Sequence, residues 1–142
     1  MAHAWRVSVW HGVAMTGRGN QAAAYRLVAL LGGAGILHFV TPAFFDMQVP
    51  RTLPGKARTY TVVSGVAELA VAGALAVPRT RRLGGLAAAA LFVAVYPANI
   101  DLARRVVTDT KASPALKAGV IARLPLQIPL VTEALKARRN AP

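Results

Sequence analysis

The sequence predicts an all-α integral membrane protein, an antiparallel four-helix bundle with both termini on the same side. Three observations carry that expectation. The 142 residues are 55% hydrophobic and only 15% charged, with a mean hydropathy of +0.45, a balance that an ordinary soluble domain does not show. Apolar runs recur four times, at about 22–41, 60–77, 83–102 and 115–135. Each is near the length that a helix rising about 1.5 Å per residue needs to cross a hydrocarbon core of about 30 Å. The links between runs are short and rich in Pro, Gly, Lys and Arg, so consecutive spans are expected to pack antiparallel.

Composition also removes several function classes. A net charge of +12 would suit nucleic-acid binding, but the basic residues lie between apolar runs rather than along one helix face, and no nucleic-acid partner is expected. There is no cysteine, so disulfides, thiolate metal sites and thiol relays are excluded from this chain's own chemistry. No HExxH pair, phosphate-binding loop or dinucleotide fingerprint occurs. A metal site and a catalytic set are therefore not expected. His38 is the one histidine at membrane depth, which argues against bis-histidine haem ligation.

Residues 1–21 form an N-terminal tail, disordered or lying on the headgroup surface, in which Trp5, Val7, Val9 and Trp10 alternate with Arg6 and His11. Met15 is an alternative start. No cleavable signal peptide is evident, because the first long apolar run is itself long enough to span. That first span carries Arg26 near one end, where it can snorkel, and Pro42 stops it at the other. Ala29, Gly32, Gly33 and Gly35 make one side small enough for close packing.

The stretch from Pro42 to Pro50 suits a loop or short interfacial helix, and Leu53-Pro54-Gly55-Lys56 turns the chain back. The second span ends at Pro78 and the basic turn Arg79-Thr80-Arg81-Arg82. In the third, Pro97 removes a helical hydrogen bond and is expected to kink the helix, with Asn99 and Asp101 beyond it. The fourth contains Arg123, Pro125, Gln127 and Pro129, whose two prolines free carbonyls that neighbours must satisfy. The bundle is expected over 22–137, with a basic tail at 138–142.

Orientation follows from Lys and Arg. Arg6, Arg18, Arg26, Arg79, Arg81, Arg82, Lys136, Arg138 and Arg139, nine in all, fall on the side of the termini. Arg51, Lys56, Arg58, Arg104, Arg105, Lys111 and Lys117, seven in all, fall on the other. The positive-inside rule places both termini in the cytoplasm of a bacterial inner-membrane protein.

The chemistry centres on Glu68, midway along the second run. A carboxylate at that depth costs about 2.5–3.5 kcal/mol or more unless it is paired, protonated or facing a polar cavity. Equal offsets from the outer ends of spans two and four place Arg123 at the same depth, and an ion pair between them is expected. Ser64 lies one turn from Glu68 on the same side, Gln127 one turn from Arg123, and His38 and Asn99 towards the outer face. Two readings of this set stand: a polar glue that fixes helix register, or a site that takes a proton or contacts a quinone.

Taken in order, Leu37-His38-Phe39 with Pro42 and Phe44, Pro50, Leu53-Pro54, Ser64-Gly65-Val66-Ala67-Glu68-Leu69, Pro78, Pro97-Ala98-Asn99 and Arg123-Leu124-Pro125-Leu126-Gln127-Ile128-Pro129 resemble the DoxX-like small membrane proteins over about residues 25–135. Asp101 departs from the pattern, which is expected to hold a neutral residue there. The resemblance implies a four-helix membrane bundle associated with quinol oxidase, thiosulfate:quinone oxidoreductase or thiol-stress complexes. It suggests a non-catalytic or accessory subunit, with quinone as the cofactor to consider. A stand-alone carrier of a lipophilic molecule or proton, and a structural assembly factor, are the alternatives. The expected partners are the lipid bilayer, a membrane or cytoplasmic oxidoreductase, and further copies of the chain.

Overall fold

The computed structural model describes residues 20–142 and contains six helices there: α1 (Ala22–Val40), α2 (Pro42–Asp46), α3 (Ala57–Ala76), α4 (Arg81–Thr108), α5 (Pro114–Arg123) and α6 (Gln127–Arg139). The reading of residues 1–19 as an interfacial or disordered tail lies outside the described residues. No strand occurs among the described ones. Helices α1, α3 and α4, and α5 with α6 taken together, make four segments long and apolar enough to cross a membrane. The protein is an all-α, multi-pass bundle of the kind the four apolar runs imply.

Several boundaries differ from those read in the sequence. Helix α3 starts at Ala57, three residues before Tyr60, and α4 runs through Pro97 without interruption to Thr108. The fourth span is two helices, because Pro125 cannot donate and Leu124–Leu126 form a turn instead. Leu124 still donates to Ile121 (3.1 Å) and Ile128 to Pro125 (3.2 Å), so local three-residue bonds take up carbonyls beside the prolines. Arg138 and Arg139 are the last turn of α6 rather than a tail.

The helices close a ring in which α1 packs on α3 and α6, and α4 also packs on α3 and α6. The short α2 lies against α1 and α3, while α5 packs on α4. The apolar core occupies one end of this ring. It comprises Ala23, Ala24, Leu27 and Leu31 of α1, Ala72 and Leu75 of α3, Ala88, Ala89 and Phe92 of α4, and Ala134 and Ala137 of α6.

Alanine dominates here because the backbones come close. A Cβ on Gly84 would sit 2.7 Å from the Leu75 amide nitrogen of α3, and one on Gly85 would sit 2.7 Å from the Arg138 nitrogen of α6. Adjacent glycines thus let α4 touch two neighbours at once. On the outside, large apolar residues such as Leu30, Val63, Leu83, Val93 and Ile128 are exposed, which suits acyl chains.

Arg81, part of the basic turn that closes the second span, is buried at this end, only 3% exposed. Its Nε donates to the Leu75 carbonyl (2.7 Å), Nη2 to the Ala76 carbonyl (2.8 Å) and Nη1 to Gln21 Oε1 (2.7 Å). Its guanidinium also lies 5.3 Å from the centre of the Tyr25 ring. The carbonyls at the C-terminus of a helix have no intrahelical donors, and a cation there meets the negative end of the dipole. Asn140 donates to the Asn20 carbonyl (3.1 Å) and Arg26 pairs with Glu133, so the start of α1 and the end of α6 are tied together.

Replacing Arg81 with Met should therefore cost about 2–3 kcal/mol, since it strands the buried Leu75 carbonyl and removes the donor of the Ala76 carbonyl, whereas exposed Arg82→Met should stay within about 0.5 kcal/mol. Thermal unfolding of both variants in one detergent compares them directly. Equal stability would remove the capping role.

Candidate functional site

The opposite end of the ring holds the polar residues. Helix α1 stops at Thr41, and Pro42 opens α2 at a position where its missing N–H costs nothing. This turn brings α2 back over the end of α1. The Phe45 ring stacks on His38 with centroids 3.7 Å apart at 24°, and Phe44 meets Phe45 edge-on at 5.3 Å.

Asp46 anchors α2 to α3. It accepts from Arg58 Nη2 at 2.8 Å and from the buried Thr61 hydroxyl at 2.7 Å. The Arg58 guanidinium, together with that hydroxyl, holds the Asp46 carboxyl below the usual aspartate range.

Gly65 allows α3 to pass close beneath His38, since a Cβ there would be 2.7 Å from the His38 Cβ. One turn on, Glu68 Oε2 lies 3.2 Å from His38 Nδ1. That nitrogen is also 2.8 Å from the Ala34 carbonyl oxygen. A carbonyl can only accept, so Nδ1 carries the ring proton and gives it to Ala34. Glu68 Oε2 is consequently buried without a hydrogen-bond donor. The Glu68 side chain as a whole keeps 16% exposure, against 8% for His38.

The expected ion pair between Glu68 and Arg123 does not form. Glu68 faces His38, and Arg123 Nη1 donates instead to Gln48 Oε1 at 2.6 Å. Helix register explains the correction. Gly84 of α4 meets α3 at Leu75, so the residue of α4 level with Glu68, seven residues back along α3, lies seven residues on, next to Phe92. Gln127 donates to the Phe92 carbonyl. It is therefore Gln127 that shares the depth of Glu68, and Arg123 lies about 6 Å further out at about 1.5 Å per residue.

The other sequence candidates are dispersed. Asn99 is 8% exposed and makes no side-chain hydrogen bond to the described residues, and half-buried Ser64 makes none either. The structure thus joins Glu68 to His38, leaves Arg123 near enough to act on Glu68 electrostatically without pairing, and gives Asn99, Gln127 and Ser64 no hydrogen bond to it. No group of three or more His, Cys, Asp or Glu suited to a metal occurs among the described residues.

Four contributors were not legible beforehand. Phe45 covers His38, Asp46 and Thr61 seat the helix that carries Phe45, and Arg105 holds the chain that follows. Arg105 pairs with Asp101 one turn away (2.8 Å) and donates to the Met47 carbonyl (3.1 Å). Asp101 thereby orients the guanidinium that receives the C-terminal end of α2. The only available signal was the four-residue spacing of Asp101 and Arg105.

A family model described as a domain of unknown function, DUF8561, matches residues 27–138. The chain belongs to this family. No curated protein and no solved structure matches it. The DUF8561 region takes in all but the first turn of α1, the whole of α2 to α5 and nearly all of α6, and so contains Glu68, His38 and every residue that seats α2.

A carboxyl held below its ordinary range stabilises the fold above that range and loses the contribution as pH falls through its folded value. The docking of α2 should accordingly be at full strength above the ordinary aspartate value and weaken as pH falls below about 4 in the native chain, whereas Asp46→Asn should be weaker at neutral pH and flat across that fall. Hydrogen exchange of residues 42–49 against pH reads this out. An unchanged pH profile in Asp46→Asn would exclude the Asp46 anchor as its source.

Proposed function

We propose that this protein binds a lipophilic hydrogen-bond donor of the quinol class at Glu68 and His38, as a non-catalytic membrane subunit of quinone-linked or thiol-redox metabolism. The observation that carries the reading is the Glu68 oxygen that has no donor at membrane depth. Such a group costs free energy until something donates to it, and a hydroxyl arriving from the bilayer would supply the missing bond. His38 cannot do so while its Nδ1 proton is engaged by Ala34, and its ring is itself covered by Phe45. An oxidised quinone has only acceptors, so it would bind here when Glu68 carries a proton.

The resemblance to DoxX-like proteins supports the redox setting and an oxidoreductase partner. With no cysteine in the chain, any thiol chemistry belongs to that partner. A second reading, a stand-alone carrier of a lipophilic molecule or proton, uses the same carboxyl and needs no partner. The surplus of Lys and Arg beside the termini supports a bacterial cytoplasmic membrane with both termini inside.

Binding of decylubiquinol to the chain in lipid nanodiscs tests the site. Glu68→Leu should weaken it by about tenfold, the worth of one hydrogen bond to a charged group, with the helical content unchanged. Equal affinity in both proteins would end the proposal. Orientation has a clean test because the native chain lacks cysteine. In intact cells a membrane-impermeant maleimide should label Lys56→Cys, and Ala141→Cys only after permeabilisation. The reverse pattern would invert the topology.

A further inference from the structure

A second feature of the polar end is separate from Glu68 and His38. The segment after α2, the last turns of α4 and the length of α5 enclose a groove of about 1010 Å³. Its walls include Leu102 and Val106 of α4 and Leu116 and Val120 of α5, with the Arg123 guanidinium at one edge. We propose that this groove seats one anionic phospholipid of the surrounding leaflet, its phosphate on Arg123 and an acyl chain along those four apolar residues.

The charge balance favours an anion. Two of the acids at this end are already matched, Asp46 by Arg58 and Asp101 by Arg105, and Asp109 accepts from the Lys111 amide. Arg123 has no carboxylate partner among the described residues. Of its five N–H donors, the neutral Gln48 side chain takes one. Arg51 also lines the groove and is exposed. Counting the whole end, Arg51, Lys56, Arg58, Arg104, Arg105, Lys111, Lys117 and Arg123 face three acids, Asp46, Asp101 and Asp109.

The position favours a lipid over a soluble anion. The groove lies where the spans end, with Phe44 and Tyr60 on its lining, at the depth where aromatic side chains and headgroups meet. Helix α5 packs on α4 while its Leu116 and Ile121 remain about half exposed, so the apolar wall continues from the groove to the lipid-facing surface. An arginine fork matches phosphate oxygens in two parallel bonds, and the acyl chain would cover surface that water otherwise meets. Neither Glu68 nor His38 lines the groove, and Arg123 reaches Glu68 only through its electrostatic field, without an ion pair.

The test is to reconstitute the full chain into vesicles of equal phosphatidylglycerol and phosphatidylcholine, extract it gently, and count retained lipids by native mass spectrometry. One phosphatidylglycerol per chain should survive, preferred over phosphatidylcholine by about tenfold. Arg123→Gln should abolish the preference, Arg123→Lys should keep part of it, and Arg82→Gln at the opposite end should leave it unchanged. Leu116→Trp, which fills the apolar wall from an exposed position, should displace the lipid even if Arg123→Gln does not fold. Equal retention of the two lipids, a preference that survives Arg123→Gln, or retention unaffected by Leu116→Trp would overturn the proposal. So would displacement by an equal concentration of oleate, which would assign the groove to a single-chain carboxylate.

Discussion

Everything in this bundle depends on how closely α4 approaches its two neighbours. Gly84 meets the backbone of α3 and Gly85 that of α6, at distances that admit no Cβ. In a bilayer, where burying apolar side chains against one another gains little over lipid, such contact is a main source of helix association. The price of close approach is that helix ends are buried too, and Arg81 resolves this by donating to the final carbonyls of α3. One end of the ring is therefore close-packed, small-residued and tied shut.

The other end follows from that closure. With register fixed at Gly84 and Gly85, Phe92 comes level with Gln127, and Arg123 is carried outwards to the groove. Glu68 is left with His38, whose only Nδ1 proton is already given to the backbone. Meanwhile α2 folds over the opening, held from α3 by Arg58 and Thr61 and from α4 by Arg105. Polar groups gather here because the chain must turn, and the proline-broken fourth span does not fill the space that α6 fills at the other end.

Two kinds of chemistry then lie near each other without merging. The Glu68 oxygen lacks a donor and calls for a neutral or protonated partner from the lipid phase. Arg123 forms no ion pair among the described residues and lines an apolar groove at the interface. A direct pair would have cancelled both. Their separation by about one helical turn is what leaves each available to a ligand.

The sequence by itself determined the class and number of spans, because apolar length and breaker residues act locally: Pro42, Pro78 and the links around them report helix ends whatever the neighbours do. It also singled out Glu68 and His38, since an ionisable residue in an apolar run is conspicuous without a structure. Which partner Glu68 meets was decided only by tertiary packing. Depth counted from sequence boundaries shifts when α3 begins three residues early and α5 ends at a proline turn, and a shift of one turn exchanges Arg123 for Gln127. Arg81 and Asp46 were hidden for the same reason. Each acts on carbonyls or side chains of another element, Asp46 on a residue 12 positions along the chain, and nothing in the local pattern encodes contacts that exist only once the helices have closed.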